Sequence, residues 1–171
     1  MKRGHHMIRR HMTGLGRFGT DDRGSVLVEF SIVLPLMLLF FAVTVESARM
    51  MWSYQAAISG VRDAGRYLAR ITPADICITS GSVAGTTGTL KTIVEKDLSG
   101  NTLYPAKVTV NSVTPSYSCV TGSFRVSPAA VGTVSASVTM EFTLSGVMSL
   151  FGGNLSTVTT TIADSSRIFG Q

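Results

Sequence analysis

The sequence predicts an α+β protein in which one long N-terminal helix continues into a small antiparallel β-sheet head. Two observations carry this prediction. Residues 26–45 are predominantly apolar and carry one charged residue, Glu29, whereas the chain after Pro73 is rich in Ser, Thr, Val and Gly and alternates between apolar and polar residues. Of 171 residues, 44% are hydrophobic and 15% are charged. Because charged residues make up about a quarter of a typical soluble chain, we expect a membrane segment beside one small domain.

A basic leader, residues 1–24, precedes the apolar segment. It contains six Lys or Arg residues against two Asp residues, and thus most of the net charge of +5. The rest of the chain is nearly neutral. The basic balance therefore does not indicate a nucleic-acid partner, which would need a basic patch on the folded domain.

The apolar residues 26–45 are long enough to cross a bilayer as one helix, since twenty residues at about 1.5 Å each span a hydrocarbon core of about 30 Å. The excess of Lys and Arg lies on the N-terminal side. We therefore expect a single-pass protein whose leader stays in the cytoplasm and whose C-terminal part is translocated.

The helix is predicted to continue to the Pro73 stop, giving a helix over 25–72. Gly60 and Gly65 each weaken it by about 1 kcal/mol relative to Ala, so we expect a bend or break in this half. Apolar residues recur here at spacings of four and three. They are Met50, Tyr54, Ala57, Val61, Ala64, Leu68 and Ile71. This stripe packs either on the head of the same chain or on a partner helix, and the sequence leaves both open.

Residues 73–171 are predicted to form the β-rich head. The clearest strand is Val134–Leu144, in which every second residue is apolar, so that one face lies on a core and the other in water. Residues 107–113 and 155–163 are its expected partners, and residues 89–98 are expected to form a short covering helix. Turns are predicted at 80–88, 99–101, 115–118 and 152–154.

The residue types of the body exclude the commonest catalytic and metal sites. All three His residues lie in the leader, and the body holds two Cys residues, Cys77 and Cys119. A His-based triad or a His/Cys zinc site cannot be built from these, so we predict no catalytic residue, cofactor or metal. On the translocated side the two Cys residues are free to form a disulfide, worth about 4 kcal/mol on the chain-entropy estimate. Two buried thiols are the alternative.

The junction between leader and helix holds the candidate functional residues. Gly24 ends the leader, and Glu29 places a carboxylate in the apolar segment at a cost of up to about 3 kcal/mol. Cleavage after Gly24 would leave an ammonium on Ser25 about one helical turn from Glu29, able to neutralise that carboxylate on a neighbouring copy. The alternative is an interfacial Glu29 paired with Arg23.

This junction resembles the processing site of type IV prepilins, which a membrane aspartyl peptidase cuts after the Gly. Gly24 and Glu29 match that site, although Ser25 replaces the Phe common in type IVa pilins. The run from Gly24 to Pro35, with the later run Val61–Tyr67, is similar to the TadE-like family of the tight-adherence (Tad/Flp) pilus. The resemblance covers about 45 residues. Pro35 belongs to it and predicts a helix kink.

The resemblance implies a pilin-like, non-enzymatic minor pilin or pseudopilin that acts in pilus assembly for adherence, with residues 1–24 removed. Implied partners are the prepilin peptidase, other minor pilins, the major pilin, the inner-membrane assembly platform and the lipid bilayer. The implied location is a bacterial inner membrane with a periplasmic head. An uncleaved single-pass scaffold protein is the alternative. A secreted hydrolase is disfavoured, since no A-x-A-like site follows the apolar run.

Overall fold

The computed structural model describes residues 23–150, 152–153 and 156–170. The chain divides into two compact units, the first ending at Phe41 and the second running from Ala42 to Gln171. The predicted leader therefore lies outside the described residues except at its last two positions. In chain order the elements are α1 (Arg23–Ile71), α2 (Ile76–Thr79), a 3-10 turn (Ala84–Thr86), α3 (Thr87–Glu95), β1 (Val108–Val120), β2 (Ala129–Glu141), α4 (Ser145–Ser149) and β3 (Thr157–Arg167). The predicted α+β class, a long apolar helix followed by a small antiparallel sheet, is confirmed.

Helix α1 ends where the sequence predicts. Its last residue is Ile71, and the Thr72 N–H still donates to the Leu68 carbonyl before Pro73 closes off further helix. Pro35 lies inside the helix, which is assigned without interruption. The helix is also continuous through Gly60 and Gly65, so of the expected bend or break the break is wrong.

The apolar stripe of α1 packs on the head of the same chain. Ala57, Val61, Ala64 and Leu68 are fully buried in the core. Met50 also packs against this core, whereas Tyr54 and Ile71 are 41% and 38% exposed, so the stripe is not buried along its whole predicted length. Of the two alternatives that the pattern left open, packing on the chain's own head is the one found along the middle of the stripe.

Gly60 shows why a glycine occurs in the middle of this helix. A Cβ on Gly60 would lie 2.9 Å from the Val94 carbonyl oxygen and 3.0 Å from the Val94 Cα. Val94 and Leu90, one turn apart on α3, are both fully buried. The missing side chain thus lets the backbone of α3 rest directly on α1. The predicted covering helix is confirmed, with bounds of 87–95.

The three strands form one antiparallel sheet in the order β1-β2-β3, and all three predicted strands are present. The turn predicted at 115–118 is wrong, because Pro115 lies inside β1, opposite Val134 of β2. Proline has no backbone N–H to donate to a neighbouring strand. Because β1 is an edge strand with a partner on one side, this loss is tolerated. The strands are also longer than the alternation indicated.

The predicted alternation in β2 is confirmed along the strand. Val134, Ala136, Val138 and Met140 are buried on the face that meets α1 and α3. The opposite face is rich in Ser and Thr, with cross-strand hydroxyl contacts such as Thr133 to Ser165 at 2.8 Å. The strand ends at Glu141, so Phe142 and Leu144, predicted to continue it, belong to the connection that leads to β3.

Candidate processing and assembly site

The candidate cleavage residues lie in the first turn of α1. Gly24 is exposed, and a Cβ built on it would meet nothing within 4 Å. Ser25 and Glu29 are four residues apart in the helix, about 6 Å along its axis and on one face. The local geometry therefore leaves this peptide segment uncovered by the described part of the chain.

Glu29 is exposed among apolar neighbours, including Val26 and Phe30, which are 64% and 57% exposed. It forms no ion pair within the described residues. The side chain of Arg23, the partner in the interfacial alternative, lies outside them. Among the residues that the structure describes, no ion pair offsets the loss of hydration that an apolar environment would impose on this carboxylate.

Around Glu29 and onward, the apolar segment of α1 presents its side chains outward. Leu36, Phe40 and Phe41 are each more than half exposed, and α1 contains a window long and apolar enough to cross a membrane. Monomeric soluble proteins rarely expose so large an apolar surface. The long apolar N-terminal helix is consistent with membrane anchoring.

The second unit contains a charged pair that the sequence analysis missed. Glu46 is 4% exposed, and one of its carboxylate oxygens lies 3.0 Å from the Arg49 guanidinium. The other oxygen accepts the Leu144 N–H at 2.7 Å. Arg49 also donates to the Ala106 carbonyl at 2.7 Å and to the Thr143 hydroxyl. The pair thus ties α1 to the connections before β1 and after β2.

This Glu46–Arg49 clamp marks one end of the head, which we call the base. In the sequence, the signal for this clamp is a pair of opposite charges at positions i and i+3 directly after an apolar run. This spacing places the two side chains on one helix face. That spacing alone is common on solvated helices. Burial of Glu46 distinguishes this pair, and burial depends on residues about a hundred positions away.

The opposite end of the head, which we call the tip, contains the β1–β2 connection and a disulfide. Cys77 and Cys119 are bonded with an S–S distance of 1.99 Å and a Cα–Cα distance of 5.8 Å. The bridge joins α2 to the end of β1. Of the predicted site residues, the structure brings these two together, while Gly24, Ser25, Glu29 and Pro35 lie in the first unit.

The described residues contain no group of three or more His, Cys, Asp or Glu side chains placed to hold a metal ion. Both Cys residues are used in the disulfide. The features that remain are an exposed apolar helix with one carboxylate and a compact head fixed to its second half. These features suit contact with lipid or with other helices.

Comparison with known proteins gives a family match for part of helix α1. The model of the TadE-like protein family matches residues 24–66, about a quarter of the chain, as the resemblance predicted. No curated protein matches the chain significantly. No solved structure matches it significantly either.

Proposed function

We propose that the chain is a minor pilin or pseudopilin that acts without catalysis in the assembly of a Tad/Flp pilus. In this proposal a prepilin peptidase cuts between Gly24 and Ser25, and the mature helix stays in the bacterial inner membrane with the head in the periplasm. The observation that carries the proposal is the family match, which begins at Gly24 and runs along the helix. Members of that family are structural rather than catalytic.

Three features of the chain support this role. The junction at Gly24 is uncovered, the apolar half of α1 is exposed for lipid or neighbouring pilins, and the basic leader favours a cytoplasmic N-terminus. A disulfide at the tip suits an oxidising compartment. The proposed partners are the peptidase, other minor pilins, the major pilin and the assembly platform.

Cleavage is tested by co-expressing the full chain with a prepilin peptidase and measuring its N-terminal sequence and intact mass. We expect a mature chain that begins at Ser25. Gly24→Arg should block processing, since the bulky cation replaces the residue at the scissile bond, and Gly85→Arg is a matched control because that glycine is also exposed and uncrowded. If the parent and Gly24→Arg both keep the masses of their full-length chains, the uncleaved scaffold is favoured.

A further inference from the structure

The connection between β2 and β3 presents apolar side chains at the base of the head. Its described helical part, residues 144–150, includes α4 and is called the α4 segment here. Leu150 is 81% exposed, and Val147 and Met148 are half-buried. In sequence, the whole run from Phe142 to Ala163 carries no charged residue. The run itself therefore adds no charged side chain to the exposed apolar surface.

The α4 segment begins at the level where the apolar sequence of α1 ends. Glu46, which directly follows the end of the apolar run at Val45, accepts the Leu144 N–H at 2.7 Å. Arg49, three residues further on, contacts the neighbouring Thr143. Three residues of helix rise about 4.5 Å. The clamp thus holds the start of the α4 segment within about one helical turn of the end of the apolar run.

We propose that the α4 segment is a second membrane contact, whose apolar side chains enter the interfacial region of the leaflet from which α1 emerges. This rests on the membrane anchoring in the proposed function. Apolar surface leaves water favourably at such an interface, and a segment without charge has no ion to desolvate there. Two contacts, the helix and the α4 segment, would restrict rotation and tilt of the head relative to the bilayer.

The tip provides the matched contrast. The β1–β2 connection, residues 121–128, also exposes an aromatic side chain, Phe124, at 46%, but carries the charged Arg125 next to it. A strand of 13 residues separates this connection from the base, a distance of about 43 Å at 3.3 Å per residue. Phe124 is therefore expected to remain in water when Leu150 is in the interface.

The experiment places one tryptophan at a time in the full chain and measures contact with lipid. Trp52, the single tryptophan, is replaced by Phe, and Leu150→Trp, Phe124→Trp and Leu36→Trp are made separately in that background. Each variant is reconstituted into phosphatidylcholine–phosphatidylglycerol vesicles with plain or brominated acyl chains. Met148→Trp gives a second measurement of the α4 segment, and circular dichroism checks that each variant folds.

We expect bromine to remove most of the emission of Leu150→Trp and Met148→Trp, and of Leu36→Trp in the proposed span, but not that of Phe124→Trp. If Leu36→Trp is quenched while both α4 variants behave like Phe124→Trp, the second contact is wrong and the anchor stands. An unquenched Leu36→Trp overturns the anchor itself. An α4 emission that is blue-shifted without bromine quenching, and reverts on dilution into excess lipid, indicates contact between copies and overturns the lipid contact.

Discussion

Glu46 is almost completely buried at the base of the head. The burial of its carboxylate determines how the ion pair with Arg49 contributes to the free energy of unfolding. A buried ion pair gains little over a well-packed apolar pair, but removing one partner leaves the other charge uncompensated. Glu46 would keep the Leu144 N–H and lose the guanidinium. Stability is therefore expected to depend on both members together.

Replacing Arg49 with Leu should lower the free energy of unfolding by about 3 kcal/mol, because the Glu46 carboxylate stays buried without its counter-ion. Thermal unfolding of the full chain in mild detergent, followed by circular dichroism, measures the loss. Arg66→Leu is the matched control, since Arg66 pairs with Asp63 at the same i,i+3 spacing but in solvent, where such pairs contribute less than about 1 kcal/mol. Equal losses in the two variants would contradict a buried role.

Tyr104 is buried, and its hydroxyl has no hydrogen-bond partner among the described residues. Burial, with a smaller contribution from the Glu95 carboxylate, raises the pKa of Tyr104 from 10.0 to about 12. The folded state therefore favours the neutral phenol. The contribution of the neutral Tyr104 phenol to the free energy of unfolding is fully present below pH 10. It is lost as the pH rises through about 12.

Tyr104→Phe should raise the free energy of unfolding by about 1 kcal/mol, because it removes an unsatisfied buried polar group. The advantage over the parent should grow between pH 10 and about 12, where the parent alone must ionise this group on unfolding. Thermal unfolding at several pH values measures both effects. Tyr117→Phe is the control with the opposite sign, since the Tyr117 hydroxyl donates to the Gly81 carbonyl at 2.9 Å. A destabilised Tyr104→Phe would show that its hydroxyl has a partner.

At the scale of elements, the contact between α1 and α3 depends on Gly60. Gly60→Ala adds helix propensity worth about 1 kcal/mol, but its Cβ would meet the backbone of Val94 at 2.9 Å. Backbone cannot rotate away as a side chain can, so α3 must shift. We expect a net loss of about 1–3 kcal/mol in the free energy of unfolding.

Gly65→Ala is the matched control on the same helix. Its Cβ would approach the Asp164 side chain at 3.3 Å, which is free to move, so a gain of up to about 1 kcal/mol is expected from helix propensity. Thermal unfolding of both variants compares the two glycines under one condition. If Gly60→Ala is as stable as Gly65→Ala, the close approach of α1 and α3 does not depend on Gly60.

At the scale of the whole molecule, Glu29 forms no ion pair within the described residues, and we expect it to find a partner on another chain. On the function proposed above, Glu29→Gln should insert and be processed, but should lower pilus number and co-purification with other pilins, because the amide cannot neutralise the Ser25 ammonium of a neighbour. Electron microscopy and crosslinking measure these effects. Ser31→Ala is the control, since the Ser31 hydroxyl donates to the Leu27 carbonyl of its own helix. Normal piliation with Glu29→Gln would favour an interfacial Glu29 instead.

The sequence by itself determined the features that follow from local patterns. The apolar run, the helix stop at Pro73, the period of two in β2 and the motif at Gly24 each depend on one stretch of consecutive residues, so the local sequence predicts them. The same patterns identified Cys77 and Cys119 as a possible pair without choosing between a disulfide and two thiols.

The tertiary structure alone decided which of these residues meet. Glu46 and Leu144 are 98 residues apart, and the burial of Glu46 follows from the sheet folding along α1. Gly60 in sequence is a weak point in a helix, and in the fold it is the place where α3 approaches. Pro115 in sequence is a turn signal, and in the fold it lies on an edge strand. The physical reason is common to all three: the cost of a charge, a missing side chain or a missing N–H depends on what surrounds it, and the surroundings come from distant parts of the chain.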